Sequence, residues 1–464
     1  MKHTHLVTTA GRPGTALLCV LLVAPFMAQI DATIVNVTIP SIQAEFRASS
    51  AVLQWVVDGY LVPFAVLLVT CARLGRIHGY RRIYILGCTV FGLASLASTL
   101  APNGPVLIAA RVAQGVGAAL MYPQALTGIQ LNFEGKARTH AVALLAMAQS
   151  VGAVGGQILG GVLVAYDLAG IGWRAIFIIN APICLAATLG AWRYLPDAQR
   201  QSAPQTLDAV GVGLLSISLL LLVLPLSLGH SAGWPPLAWL ALAACIPAFA
   251  LFLRSQARGR NAAPLVDLAL LRRPTVYFGV LALLVTSGTY YALLFTLAQY
   301  LQRGAGRSAL FSGLILVPWV AAFGLAAHLM RLATPPLAPR LPLIGCIVLA
   351  LAYAALGVSL TFAPGADALL AALLALGGLG LGLNFSALIV YLTNATPVAQ
   401  AADMSGLITT TAPVGGAVGV ATLGSFYLAQ MGVGAVPAFA WTCALMAVAA
   451  AGAALLAHAS TRRP

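Results

Sequence analysis

Long apolar stretches, each broken by a short polar joint, fill the chain from end to end. A helix needs about 20 apolar residues to cross the hydrocarbon of a bilayer. By that measure the sequence predicts spans over 15–38, 51–71, 83–101, 105–129, 139–165 and 173–194, then 209–228 and 236–253. Six more follow over 275–300, 309–330, 341–362, 367–392, 404–429 and 435–458. The runs are solidly apolar and do not alternate with period two, which excludes a membrane β-barrel. The polar joint PDAQRQSAPQTLD closes the first six spans. The basic connector RSQARGRNAAPLVDLALLRRP precedes the last six, and its PLVDLALL portion reads as a short interfacial helix. The expected fold is therefore an all-α integral membrane protein of fourteen spans. It has an N-terminal tail 1–14, a six-helix bundle 15–194, two additional spans with their connector 195–273, a second six-helix bundle 274–458 and a tail 459–464. The polar start MKHTHLVTTAGRPG leads straight into the first apolar run with no small-residue cleavage pattern, so that run reads as an uncleaved span.

Composition sharpens the picture. Of 464 residues 61% are apolar, and only 24 are Lys or Arg and 10 Asp or Glu. A soluble chain of this length would carry about 115 charged residues, so a soluble enzyme, a secreted scaffold and a disordered chain are all excluded. The net charge of +14 is spread singly and in pairs between apolar runs, which argues against nucleic acid. With both termini in the cytoplasm, nineteen basic residues lie on the inner side and four on the outer: Arg47, Arg174, Arg303 and Arg307. That asymmetry is the positive-inside signature of a multi-pass inner-membrane protein. The seven cysteines show no CxxC spacing and read as small buried hydrophobes. The seven histidines have no partners at metal spacing, and no GxxxxGK[ST] loop offers an ATP site. Neither a metal, a cofactor nor an enzyme's catalytic constellation is expected, so energy must come from an ion gradient or the substrate's own gradient.

A few polar groups lie inside spans, where each is costly. Asp31 sits in the first span, Asp58 in the second and Arg111 in the fourth, all roughly 10 Å below the outer face at 1.5 Å per residue. Equal depth predicts one cluster, in which desolvation would raise the acid's pKa and a cation would lower it. The bland alternatives are a purely structural pair for Asp31 and Arg111, and solvation near the headgroups for Asp58. Along span four, Arg111, Gly115, Ala118 and Tyr122 share one face, with Gln114 beside it. Along span five, Gly152, Gly156 and Gly160, doubled by Gly161, form a ridge for close packing or bending. The loop after span two holds Arg73, Arg76, Arg81 and Arg82 around Gly75 and Gly79, which permit a tight turn. Those arginines either latch onto the negative ends of neighbouring helices or only record topology. Glycine-rich spans five and thirteen echo each other when Gly156 is set on Gly416. The resulting offset of 260 makes the two six-span blocks a duplicated, pseudo-symmetric bundle, the organisation of a secondary transporter.

Specific motifs carry a resemblance over essentially the whole chain. IDATIVNVTIP in span one, RVAQGVGAALMYP in span four, WRAIFIINAPI from Trp173 to Ile183 and LAQYLQRGAGRSALFSGLILVP at the ninth-to-tenth junction are similar to signatures of the major facilitator superfamily. They resemble in particular its 14-helix drug:proton antiporter branch (EmrB/QacA-like). The resemblance implies two bundles that rock around a central cavity, with Asp31 as proton and cation carrier, Arg111 as its partner in proton transfer and Asp58 as a second candidate. Asn36, Gln114, Tyr122 and Gln149 are then the candidate cavity lining, and the arginine loop the cytoplasmic gate. Two positions depart from the branch: Arg76 stands where an acid is usual, and Gln157 where a proline follows the second glycine of span five. The function implied is proton-driven export of small lipophilic, preferentially cationic, drugs, with protons and lipids as the other partners and a monomer as the working unit. Two rivals are a dedicated exporter of one endogenous metabolite or self-made antibiotic, and a non-transporting scaffold or sensor.

Overall fold

A computed structural model describes residues 12–166, 170–197, 208–229, 233–258, 268–332, 337–362, 365–396 and 400–462. Among them every regular element is helical and none is a strand. The first half contains α1 (Arg12–Phe46), α2 (Ser50–His78), α3 (Tyr80–Thr99), α4 (Gly104–Asn132), α5 (Gly135–Tyr166), the short α6 (Ala175–Ile178) and α7 (Asn180–Tyr194). Then come α8 (Ala209–Leu228), α9 (Pro236–Arg258) and α10 (Leu268–Leu271). The second half contains α11 (Pro274–Gln299), α12 (Ala309–Leu314), α13 (Val317–Leu332), α14 (Leu341–Phe362), α15 (Asp367–Asn394), α16 (Ala401–Gly419), α17 (Ser425–Gln430) and α18 (Ala435–Arg462). Thirteen described helical stretches are long and apolar enough to cross a membrane. The fourteenth expected span is α8, whose apolar stretch Val210–Pro225 is shorter than the others. Most of the tail 1–14 lies outside the described residues, as does the first half (264–267) of the predicted interfacial PLVDLALL segment; its second half is the short helix α10.

Local chemistry sets the ends of these helices. Ser49 caps α2 and Asn103 caps α4, each accepting a bond from the backbone N–H three residues on. Ser308 does the same for α12. Gly79 joins α2 to α3 with φ of 92°, a conformation that side-chain-bearing residues resist; the arginine loop is this one-residue turn. π-helical turns occur twice in the second half: Tyr300–Gly304 ends α11, the counterpart of α1, and Val420–Gly424 joins α16 to α17, together the counterpart of α5.

The packing repeats. α1 lies against α5, α4 and α7, α3 against α4 and α7, and α2 against α4. In the second half α11 lies against α16, α15 and α18, α14 against α15 and α18, and α13 against α15. Glycines locate the correspondence. A Cβ on Gly152 or Gly156 would sit 2.6 Å from the carbonyl oxygens of Phe26 and Ile30, and one on Gly415 or Gly419 would strike those of Leu284 and Gly288. Likewise Gly87 meets Gly117 across α3 and α4, as Gly345 meets Gly380 across α14 and α15. Residues of α1 and α3 thus match residues 258 further on, while those of α4 and α5 match residues 263 further on. The offset of 260 is a compromise between the two. Gly416, which faces the Tyr291 ring, is not the partner of Gly156; Gly419 is.

Without a hydrophobic drive between helices in lipid, close backbone contact is what holds them. Gly156→Ala would push a methyl into the Ile30 carbonyl and the Thr33 hydroxyl. It is expected to cost about 1–3 kcal/mol, seen as a lower melting temperature in detergent. Gly155→Ala meets nothing within 4 Å. It should be neutral or gain up to about 1 kcal/mol. Equal shifts for the two would show that the α1–α5 crossing is not tight.

α8 and α9 pair with each other, and α8 packs onto both α2 and α16, burying Val62, Ala65 and Val66 together with Leu215, Leu219 and Ala417. The additional pair therefore touches both halves along one flank.

Candidate functional site

α1, α3, α4 and α7 converge on one polar cluster inside the first half. Asp31 and Arg111 are 0% and 1% exposed and form an ion pair through Oδ2 and Nη1. Such a pair is stable in a medium of low dielectric only if its remaining donors and acceptors are also satisfied. Here they are. Arg111 Nε donates to the Val56 carbonyl at 3.0 Å, and Nη1 also reaches Gln114 Oε1 at 3.1 Å. The guanidinium lies over the Tyr60 ring at 4.4 Å. Asp31 Oδ1 accepts from Asn180 Nδ2 at 3.1 Å and from Gln114 Nε2 at 3.3 Å. Ser95 Oγ accepts from both amides, at 2.7 Å from Gln114 and 3.3 Å from Asn180, and Ser98 donates to Gln114.

The repeat shows how special this cluster is. The positions matching Asp31, Ser95 and Arg111 are Thr289, Tyr353 and Leu374, and there the Tyr353 hydroxyl donates to Thr289 at 3.3 Å. Among the described residues, charge at this depth is confined to the first half. One carboxylate holding one guanidinium can change state by taking a proton and releasing its partner.

Beside the cluster lies a cavity between the halves, near the face on which α1 begins and α18 ends. Its walls come in matched pairs at the offset of 263: Tyr122 with Phe385, Leu126 with Ile389, Leu145 with Ile408 and Gln149 with Ala412. It continues past Ser150, Ser287, Tyr290 and Tyr291 into an empty volume of about 390 Å³. Gln29, two residues before Asp31, ties the halves together here, accepting from the Tyr291 hydroxyl at 2.7 Å. Tyr122 and Gln149 are thus brought to the cavity, with polar groups where the second half has Phe385 and Ala412.

Other expected site residues fall elsewhere. Gln114 does not line the cavity; it is fully buried in the ion-pair cluster. Asp58 is not in that cluster. Gly59, beside it, faces Arg111, while Asp58 shares the face of Val62, Ala65 and Val66 that turns toward α8 and α16. Equal depth placed Asp58 correctly along the helix but left its bearing around the axis open. It is buried there, and its Oδ2 has no hydrogen-bond partner. The side chain of Asn36 lies outside the described residues. In the arginine loop, Arg81 donates to the Trp192 carbonyl in the last turn of α7 at 2.5 Å and pairs with Asp197 at 3.4 Å. Arg73 is buried, Arg82 exposed and Arg76 half-buried, and the Gln124 amide presses on Gly75. Gly160 and Gly161 are buried. Gln157 is buried where Gly313 of α12 meets α5, with neither amide atom bonded.

Asn180, Ser95 and Gln29 were not singled out from sequence, although Asn180 is a lone polar residue in an apolar run and Gln29 stands two residues from Asp31. At the other face, Glu45 pairs with Arg174 at 2.7 Å and accepts from Trp173 Nε1. Partial burial pushes its carboxyl up, but those two bonds pull harder, so it ionises below the usual carboxylate range.

Comparison with known proteins gives this geometry a setting. Residues 21–420 match the model of the Major Facilitator Superfamily. The chain is 36% identical to the "Probable actinorhodin transporter" of Streptomyces coelicolor, over 92% of this chain and 75% of that one. It is 31% identical to the "Tetracenomycin C resistance and export protein" of Streptomyces glaucescens, over 93% and 79%. It is 30% identical to the "Multidrug resistance protein Stp" of Mycobacterium tuberculosis, over 88% and 74%. Among solved structures, a bacterial homologue of the human lysosomal transporter Spinster, inward-facing and occupied, shares the fold with a TM-score of 0.64 over 98% of each chain at 17% identity. The duplicated helical halves and the match over most of the sequence lead to one conclusion: the chain belongs to the Major Facilitator Superfamily and is a multi-pass membrane transporter, not an enzyme.

Proposed function

We propose that the protein exports small lipophilic drugs or toxic compounds from the cytoplasm in exchange for protons. The observation that carries this reading is the fully buried Asp31–Arg111 pair beside a cavity between two rocking halves. A proton reaching Asp31 would free Arg111 and change the charge of the first half without disturbing the second. Asp58, with an unbonded oxygen in the seam against α8 and α16, is the second proton candidate. The cavity holds the substrate. Tyr122, Tyr290, Tyr291 and Phe385 line it, and such rings hold planar and cationic molecules alike.

The excess of basic residues where the chain begins and ends supports an inner-membrane protein with both termini cytoplasmic. The cavity then lies on the cytoplasmic side. The proton gradient is the energy source, no cofactor is needed and one chain is the working unit. One charge moving down 100 mV supplies about 2.3 kcal/mol, roughly a 40-fold substrate gradient.

Inverted membrane vesicles test the reading. With an inside-acid gradient imposed they should accumulate ethidium, and a protonophore should abolish that accumulation. Accumulation indifferent to the protonophore would refute proton exchange. A second reading is favoured by the names of two relatives, an actinorhodin transporter and a tetracenomycin export protein. In it the protein exports one self-made antibiotic. Protection of cells against several unrelated chemotypes would rule that reading out.

A further inference from the structure

The cavity between the halves carries no charge. Among its described lining residues none is acidic or basic, and Asp31 is sealed away from it in the ion-pair cluster. Its polarity comes from hydroxyls and the Gln149 amide. Hydroxyls inside helices are normally spent locally, on a carbonyl of the preceding turn, as those of Thr289 and Thr411 are. The Tyr291 hydroxyl is spent on Gln29. Those of Ser150 and Tyr290 are not. These two residues of the cavity wall are 5% and 8% exposed and stand side by side across α5 and α11. Neither Ser150 Oγ nor Tyr290 Oη has a hydrogen-bond partner.

A buried hydroxyl left unbonded is costly, and nothing in the architecture demands these two. At the offsets of 258 and 263 the positions matching Tyr290 and Ser150 are Ala32 and Pro413, so the duplicated bundle is built without either hydroxyl. The pair is also held stiffly. The Tyr290 ring stacks on the Trp319 indole at 5.6 Å, and Trp319 in turn stacks on Tyr353 at 6.4 Å. Phe323 and Phe385, with ring centroids 6.2 Å apart, add apolar ring surface to the same space from α13 and α15. Two free hydroxyls in an uncharged space walled by rings describe the molecule that would satisfy them.

We infer that Ser150 and Tyr290 clamp a carbonyl oxygen, and that the cavity selects flat, uncharged ring molecules that present one. A carbonyl oxygen has two lone pairs and can accept from both hydroxyls at once. The ring system that carries it then lies against the aromatic walls, stacked or edge-on. An ammonium has no lone pair and meets no carboxylate here, so it leaves both hydroxyls unbonded. Cations such as ethidium are still carried, on ring contact alone. The inference deepens the export reading above and rests on it for taking this cavity as the substrate's. It replaces the expected preference for cations with one for hydrogen-bond acceptors.

The test uses two neutral probes of one outline. Xanthone and xanthene share a fused three-ring frame and differ in a carbonyl against a methylene. Dissociation constants of the tritiated probes are measured by scintillation proximity on the purified full chain. The parent should bind xanthone about tenfold more tightly than xanthene. Tyr290→Phe and Ser150→Ala each remove one hydroxyl and should leave a ratio of about three, and the double variant a ratio of about one. Gly452→Leu on α18, where a Cβ meets nothing within 4 Å, should keep the parent's ratio. Without ligand, the two single variants should melt at or above the parent's temperature, since each loses an unbonded polar group. Equal constants in the parent, an undiminished ratio in the double variant, or a lower melting temperature in either single variant would overturn the clamp. Export is read separately, from proton-driven ethidium accumulation in vesicles. Accumulation without a xanthone preference refutes the clamp alone; a preference without accumulation refutes export and leaves the binding site standing.

Discussion

Asp31→Asn is expected to end proton-driven accumulation while leaving a protein that still inserts. The side chain keeps its shape and an oxygen for the Asn180 and Gln114 amides, but it can no longer exchange a proton or balance Arg111. The roughly 40-fold gradient available to the parent should collapse to none, with only downhill movement remaining. The measurement is energised uptake into vesicles at matched protein levels. A normally expressed variant that accumulates substrate like the parent would remove Asp31 from the coupling mechanism.

Arg111→Leu should be the most damaging single change to the fold. It strands a buried carboxylate whose other partners are two neutral amides, and breaking a buried pair from one side costs about 3–5 kcal/mol. A sharp fall in melting temperature and in membrane-inserted yield should follow. Combining Asp31→Asn with Arg111→Gln removes both charges, so most of that loss should be recovered. The double variant then separates the two roles of the pair. Recovered folding without proton-driven uptake is expected. Recovery of both would reduce the pair to a structural device.

How much of this was legible beforehand depends on which physical variable the sequence encodes. Span positions follow from apolar runs, because hydrocarbon thickness fixes their length. Depth is equally readable, since a helix rises uniformly, and it placed Asp31 and Arg111 at one level. Bearing around the helix axis is not, because in lipid both faces of a span are apolar. Asp58 therefore lies at the right depth on another face, and Gln114 points into the ion pair when the cavity was expected. Asn180 escaped notice because it lies at the short break between α6 and α7, two residues before Pro182, inside a run that reads as one continuous span. The extra five residues between the matched parts of α14 and α15 were invisible to a single glycine alignment, and two offsets emerged only from helix contacts. Gln157, unusual for its branch, is buried at the α5–α12 crossing with its amide unbonded.

The glycine crossings also invert the usual map of which positions tolerate variation. In a water-soluble protein the large buried hydrophobes are the residues least open to exchange. Here Leu93, Leu240, Ile246 and Leu455 are exposed to the acyl chains, and another apolar side chain of any shape serves as well. The smallest residues, Gly87, Gly117, Gly156, Gly345 and Gly419, are the costliest to replace, because another helix's backbone already occupies the space a side chain would need. Divergence among relatives should therefore concentrate in bulky lipid-facing positions, and their shared ancestry should be written in hydrogen atoms where other residues have a side chain.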